Sequence, residues 1–222
     1  MTRPRVLVSW SSGKDSAWLL HVLRAQERYE IGGLLTTVNE AFGRVAMHGV
    51  RSTLVEAQAR AARLPLRIVP LPWPCSNELY EARLGEAVRA AVAEGFTHVA
   101  FGDLFLEDVR QYREQQLAGS GLTPIFPLWG LDTAALAREM IAAGLRARIV
   151  CLDPRVVPRS LAGWNYDDTF LAALAAAGTL DPCGERGEFH TFAYAGPMFD
   201  AAVPHIVGES TERDGFVFSD IA

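Results

Sequence analysis

The stretch VLVSWSSGKDSAWLL, residues 6–20, decides how the chain is read. Apolar residues with β-branched valines lead into Ser-Ser-Gly-Lys-Asp-Ser, and an apolar, helix-like pattern follows, so the segment reads as strand, loop and helix. A glycine and small hydroxyl residues at a helix start form an anion cradle, because the first backbone N–H groups are unpaired and the helix dipole is positive there. Phosphate is the expected guest. The Walker A pattern is excluded: Val8 stands where its first glycine belongs, and Asp15 follows Lys14 where Ser or Thr is required. A carboxylate in a phosphate cradle repels its ligand unless a divalent cation lies between them. Asp15 is therefore read as a ligand for Mg2+ bridging to phosphate oxygens.

Outward from this loop, short apolar runs alternate with longer amphipathic ones, the pattern of an α/β protein with a mostly parallel sheet. Strands are expected at 5–9, 33–37, 66–71 and 98–102, and helices at 15–26, 53–63 and 78–94. In the last helix Leu79, Ala82, Leu84, Ala87, Val88 and Val92 approximate one stripe, with Ser76 as N-cap and Gly95 as stop. After Gly102 come a charged helix at 107–116, the Pro-rich TPIFPLWG, a helix at 132–143, a strand at 147–152 and a helix at 166–177. A terminal hairpin turns at Asp214-Gly215. A boundary is placed near residue 125, giving a nucleotide-binding domain over 1–125 and a substrate-binding part over 126–222.

Composition sets the outer limits. The 222 residues are half apolar, enough to bury a full core, and carry a formal net charge of −5. Mixed charge gives no electrostatic reason to bind nucleic acid or an anionic membrane. Three cysteines without a C-x-x-C suggest neither a disulfide framework nor a zinc site. The first residues run straight into a strand pattern, and nowhere are there roughly 18 consecutive apolar residues. A cytoplasmic protein is expected, with self-association left open.

SSGKDS, residues 11–16, resembles the S-G-G-x-D-S pyrophosphate loop of the ATP pyrophosphatase group, the adenine nucleotide alpha hydrolases. In that group ATP is split between the α and β phosphates. MHGVR, FGDLFLEDVRQYRE, FPLW and CGERGEFHTF resemble, in the same order, segments of the diphthine:ammonia ligase family. The resemblance spans residues 6–199. It implies a Rossmann-like sheet of the adenine nucleotide alpha hydrolase type with a smaller C-terminal α+β part. It also implies ATP and Mg2+ as cofactors, and an ATP-dependent ligase that adenylates a carboxylate, small or protein-borne, and resolves it with ammonia. Ser9, Ser11, Ser12, Gly13, Lys14, Asp15, Ser16 and Gly102 then bind the nucleotide. Ser12 departs from the family glycine, and a serine there is expected to avoid positive φ.

Each further candidate carries its own chemistry. Lys14 is placed to neutralise phosphate charge, against the alternative of a solvated lysine in the first helical turn. Asp103 follows a strand end, where ligands bind in open parallel sheets. Glu107 and Arg110 share a face with it if the segment is helical throughout, and Arg110 or Arg113 suits forked contacts to an anion. His48 beside Gly49 is either a substrate contact and proton shuttle or a structural histidine. Glu185, Glu188 and His190 are expected to bind a cationic group or act as base. Alternation is read as sending Glu188 and His190 to one face and the phenylalanines of EFHTF to the other. Two other functions compete: sulfur transfer to tRNA with Cys75 and Cys183 as the persulfide pair, and a non-catalytic adenine nucleotide sensor.

Overall fold

A computed structural model describes residues 3–45 and 48–222; Met47 of the MHGVR segment lies outside them. The chain forms an α/β structure with one mixed, mostly parallel sheet and one antiparallel sheet. The first sheet contains β1 (Arg5–Ser9), β2 (Glu30–Asn39), β3 (Arg44–Val45), β4 (Leu66–Leu71), β5 (His98–Ala100) and β6 (Thr123–Ile125). Its parallel strands run β4-β2-β1-β5-β6, and the short β3 adds antiparallel to the end of β2. Helices α1 (Lys14–Gln26), α2 (Ser52–Ala61), α3 (Asn77–Ala93) and α4 (Glu107–Leu117) connect them.

The strand order grows outward from β1 in both directions, and the strands are covered on both faces. Val6, Val8, Leu34 and Val38 pack with α1 and α2, whereas Leu7, Leu35, Val99 and Phe101 turn to α3 and α4. Period-two alternation in buried strands thus feeds two separate apolar layers. Where the winding reverses, at the C-terminal ends of β1 and β5, no helix crosses and a crevice opens. Helix α3 begins at Ser76, whose hydroxyl accepts from Leu79 N at 3.3 Å. Only Val88 and Ala91 of α3 are buried. Leu79 and Ala82 of the expected stripe face solvent, so that stripe is narrower than its spacing suggested.

The chain crosses to the second sheet through α5 (Thr133–Ala142), capped by Asp132. That sheet, ordered β8-β7-β10-β9, comprises β7 (Arg146–Leu152), β8 (Phe189–Ala195), β9 (Val207–Arg213) and β10 (Phe216–Ile221), with α6 (Asp168–Ala177) beside it. The turn between β9 and β10 falls at Asp214 and Gly215, both at positive φ. One apolar cluster runs from Val6 and Leu20 through Met140 and Phe170 to Phe192 and Ile221, so the two sheets share a core through α1 and α2. Among the described residues no helix is long and apolar enough to cross a membrane.

Candidate active site

A cavity of about 580 Å³ opens at the C-terminal ends of β1, β2 and β5. Its walls include Ser9, Ser11, Lys14, Asp15, Ser16, His48, Gly102, Asp103, Glu185 and His190, ten of the expected site residues. That size is in the ordinary range for small-molecule sites.

The loop after β1 is held by side chains from far along the chain. Lys14 N donates to Thr191 Oγ1 at 3.0 Å, across 177 residues of sequence. Ser12 O accepts from Ala193 N and from Gln58 Nε2, each at 2.9 Å, and Gln58 Oε1 accepts from Trp10 Nε1 at 2.9 Å. The edge strand β8 of the second sheet therefore clamps the loop of the first. Gly13 lies in this clamp: a Cβ there would stand 2.8 Å from His48 Cε1 and 3.2 Å from Thr191 O. Gly102 has a similar reason on the other side, since its Cβ would meet the backbone of Asp15 at 3.1 Å.

Ser12 departs from expectation. It adopts φ 73°, inside the left-handed region, is fully buried, and its Oγ finds no partner. Neither Ser12 nor Gly13 lines the cavity. The cavity-facing part of the loop is Ser11, Lys14, Asp15 and Ser16, with Ser11 Oγ and Ser16 Oγ 3.2 Å apart.

Lys14 is not solvated; it is 2 % exposed. Its ammonium bonds both Asp15 oxygens at 2.9 Å, donates to Cys183 O, and lies 5.5 Å from the ring centres of Tyr166 and Phe189. Burial is the largest influence and by itself would lower its pKa, but the charge and hydrogen bond of Asp15, together with Cys183 and Glu185, jointly raise it. Burial also pushes the Asp15 carboxyl up, against the pull of Lys14. No group of three or more His, Cys, Asp and Glu suited to a metal occurs among the described residues. Asp15 offers the carboxylate that belongs to the loop itself, with Asp103 and Glu185 elsewhere on the same wall. That fits the way magnesium is held by one carboxylate together with substrate phosphates and water.

Glu185 sits on the turn before β8. Its Oε1 accepts from Leu104 N at 2.7 Å, and burial pushes its carboxyl up to about 7. His48 and His190 lie against each other at a tilt of 36°, with ring centres 4.8 Å apart. His48 Nδ1 meets Thr191 O at 3.0 Å, and because a carbonyl only accepts, that nitrogen carries the hydrogen. Burial lowers His48 to about 4 and, with the nearby His48 and Lys14, lowers His190 to about 3. Burial thus favours the neutral form of both rings.

Besides Ser12 and Gly13, three expected positions stand outside the cavity. Glu188 is 6 % exposed, and its oxygens accept from Asp181 N at 3.3 Å and Arg186 N at 2.9 Å, so it braces the turn 181–188 instead of facing a ligand. The expected alternation fails because Phe189 and Phe192 are three apart. Phe189 meets Phe170 at 5.0 Å, and Phe192 meets His205 at 5.8 Å. Glu107 is exposed at the start of α4 and accepts from Gln111, while Arg110 pairs with Glu114 at 2.8 Å and covers Trp129. Since α4 starts only at Glu107, Asp103 is not on the same helical face. It forks instead with Arg113, at 2.7 and 3.3 Å, and Arg113 does line the cavity.

Thr36, Gln58 and Thr191 escaped the sequence reading. Thr36 is 3 % exposed, lines the cavity, and leaves Oγ1 without a partner. Gln58 was the detectable one, a polar residue among Leu54, Val55, Ala59 and Ala62 on the buried stripe of α2. Among known proteins, no family model and no curated protein matches the chain.

Proposed function

We propose that the chain is an ATP-dependent carbon–nitrogen ligase of the diphthine:ammonia ligase type, built on a Rossmann-like adenine nucleotide alpha hydrolase sheet. The observation that carries the reading is the meeting of its two most specific motifs. SSGKDS and CGERGEFHTF, remote in sequence, close on one cavity through Lys14 N to Thr191 Oγ1 and Lys14 Nζ to Cys183 O.

The chemistry divides among the residues at the wall. Ser11 and Ser16 hydroxyls and the α1 N-terminus receive phosphate oxygens. Lys14 supplies positive charge close to the α–β bridge, and its pairing with Asp15 keeps that charge oriented. Asp15 would hold a magnesium ion arriving with the nucleotide, and that ion, when bound, would neutralise phosphate charge. The acceptor carboxylate oxygen attacks the α phosphorus, the α–β P–O bond breaks, and pyrophosphate leaves. Ammonia then attacks the acyl carbon, the bond to AMP breaks, and the nitrogen gives up a proton. Glu185, with a carboxyl near 7, is suited to take it, whereas His48 and His190 are too weakly basic.

Sulfur transfer has less support. Cys183 lines the cavity, but burial pushes its thiol up to about 12, far from the thiolate that persulfide chemistry needs. Turnover unchanged in Cys75→Ser and Cys183→Ser removes that reading.

The test is chromatographic separation of nucleotides after incubation with Mg-ATP, ammonium and an extract of the source cells, beside Asp15→Asn. AMP with pyrophosphate, lost in the variant, is expected. ADP with phosphate overturns α–β cleavage, and tight nucleotide binding without turnover in any extract fraction favours the sensor.

A further inference from the structure

The cavity continues away from the phosphate loop into a slot between α3 and α4. Tyr80, Leu84 and Val88 of α3 face Val109 and Leu117 of α4 across it, with Phe101 beyond the end of β5. Leu84 is half-buried: it packs against the Leu7–Phe101 and Leu35–Leu71 clusters, and its remaining surface lines the slot. Two of the polar groups at the rim are already engaged. Arg113 is forked onto Asp103 and rests 4.5 Å over the Phe101 ring, and Gln116 Nε2 donates to Tyr112 at 3.0 Å. At the other end of the same cavity are the unpartnered, buried Thr36 Oγ1 and the charged pair Lys14 and Asp15. One end is thus built for polar groups, the other for hydrocarbon.

We infer that the α3–α4 slot selects the acceptor, and that the acceptor is a carboxylic acid with an apolar tail, seated with its carboxylate toward the Lys14 end. This rests on the ligase reading for the carboxylate, but the slot itself rests on its lining. A hydrocarbon tail loses nothing and gains about 0.8 kcal/mol per buried methylene, a factor of about four in affinity.

Calorimetric titration of the whole protein with straight-chain carboxylates from acetate to decanoate, at saturating magnesium and a non-hydrolysable ATP analogue, tests this. Affinity is expected to rise about fourfold per methylene until the slot is full. In Val109→Trp, which fills the slot from α4, that dependence should vanish while affinity for the analogue stays unchanged; Val109→Phe serves if the larger variant does not fold. Chain-length independence in the wild type, or an undiminished dependence in the variant, overturns the assignment. So does loss of analogue affinity, which would put the nucleobase in the slot. Chain-length-dependent binding without AMP formation from ATP would instead sink the ligase reading and leave the slot standing.

Discussion

Replacing Ser12 by glycine should stabilise the protein, although it removes a side chain from the core of the loop. Ser12 holds φ 73°, is fully buried, and carries a hydroxyl with no hydrogen-bond partner. The left-handed conformation costs an L-residue roughly 1–2 kcal/mol. A buried, unsatisfied hydroxyl costs about 1–3 kcal/mol more. Glycine relieves both, and its greater freedom in the unfolded chain returns about 0.5–1 kcal/mol in the other direction. The net gain is about 2 kcal/mol. For a chain of this size each kcal/mol moves Tm by roughly 2–4 °C, so Ser12→Gly should melt about 4–8 °C higher. Ser12→Ala separates the terms, because it removes the hydroxyl and keeps the backbone strain; its gain should be smaller than that of glycine. Guanidinium titration should show the midpoint rising with an unchanged slope. A Ser12→Gly midpoint at or below wild type would refute the reasoning, since it would mean that the loop is unstrained or that the hydroxyl is satisfied.

Two further perturbations test the site from other sides. Gln58→Leu keeps the volume but leaves Trp10 Nε1 unpaired and removes one donor from Ser12 O, which keeps Ala193 N, and one from Ala193 O, and should cost about 1–3 kcal/mol by denaturant titration; no measurable loss would mean that the clamp on the loop is weak. Glu185→Gln tests the base. The folded carboxyl keeps its proton to about 7 against an ordinary 4.5, so the wild type should lose stability as pH rises through that window, and the glutamine variant should lose less. Its turnover should fall about 10²–10⁴-fold and lose the inflection near pH 7, and an unchanged pH profile would assign the base elsewhere.

Local chemistry by itself determined much of this protein. The β-branched run before SSGKDS forms β1 over Arg5–Ser9, and the strand at Leu66–Leu71 has the expected bounds. Ser76 and Asp132 cap their helices through bonds only three residues long. Such signals are legible because both partners lie within one turn of chain. The cavity-facing Ser9, Ser11, Lys14, Asp15, Ser16 and Gly102 also follow from position, because a loop after a parallel strand at a reversal of winding has little else to face.

Tertiary structure decided the rest, wherever a side chain's partner lies far away along the chain. Lys14 is buried instead of solvated because the turn before β8 lays Cys183 O and the Phe189 ring over it. Glu188 looks like its neighbour Glu185 in sequence, yet two backbone N–H groups of its own turn absorb it while Glu185 reaches the cavity. Glu107 and Arg110 share a charged segment with Arg113, but the late start of α4 leaves Arg113 alone to reach Asp103. Ser12 takes a glycine's conformation because Ala193 N and Gln58 Nε2 hold its carbonyl from two directions. Residue types and spacing thus determined which chemistry is present, and long-range packing decided which groups are left free to perform it, since a hydrogen bond made elsewhere removes a side chain from a site as completely as a mutation would.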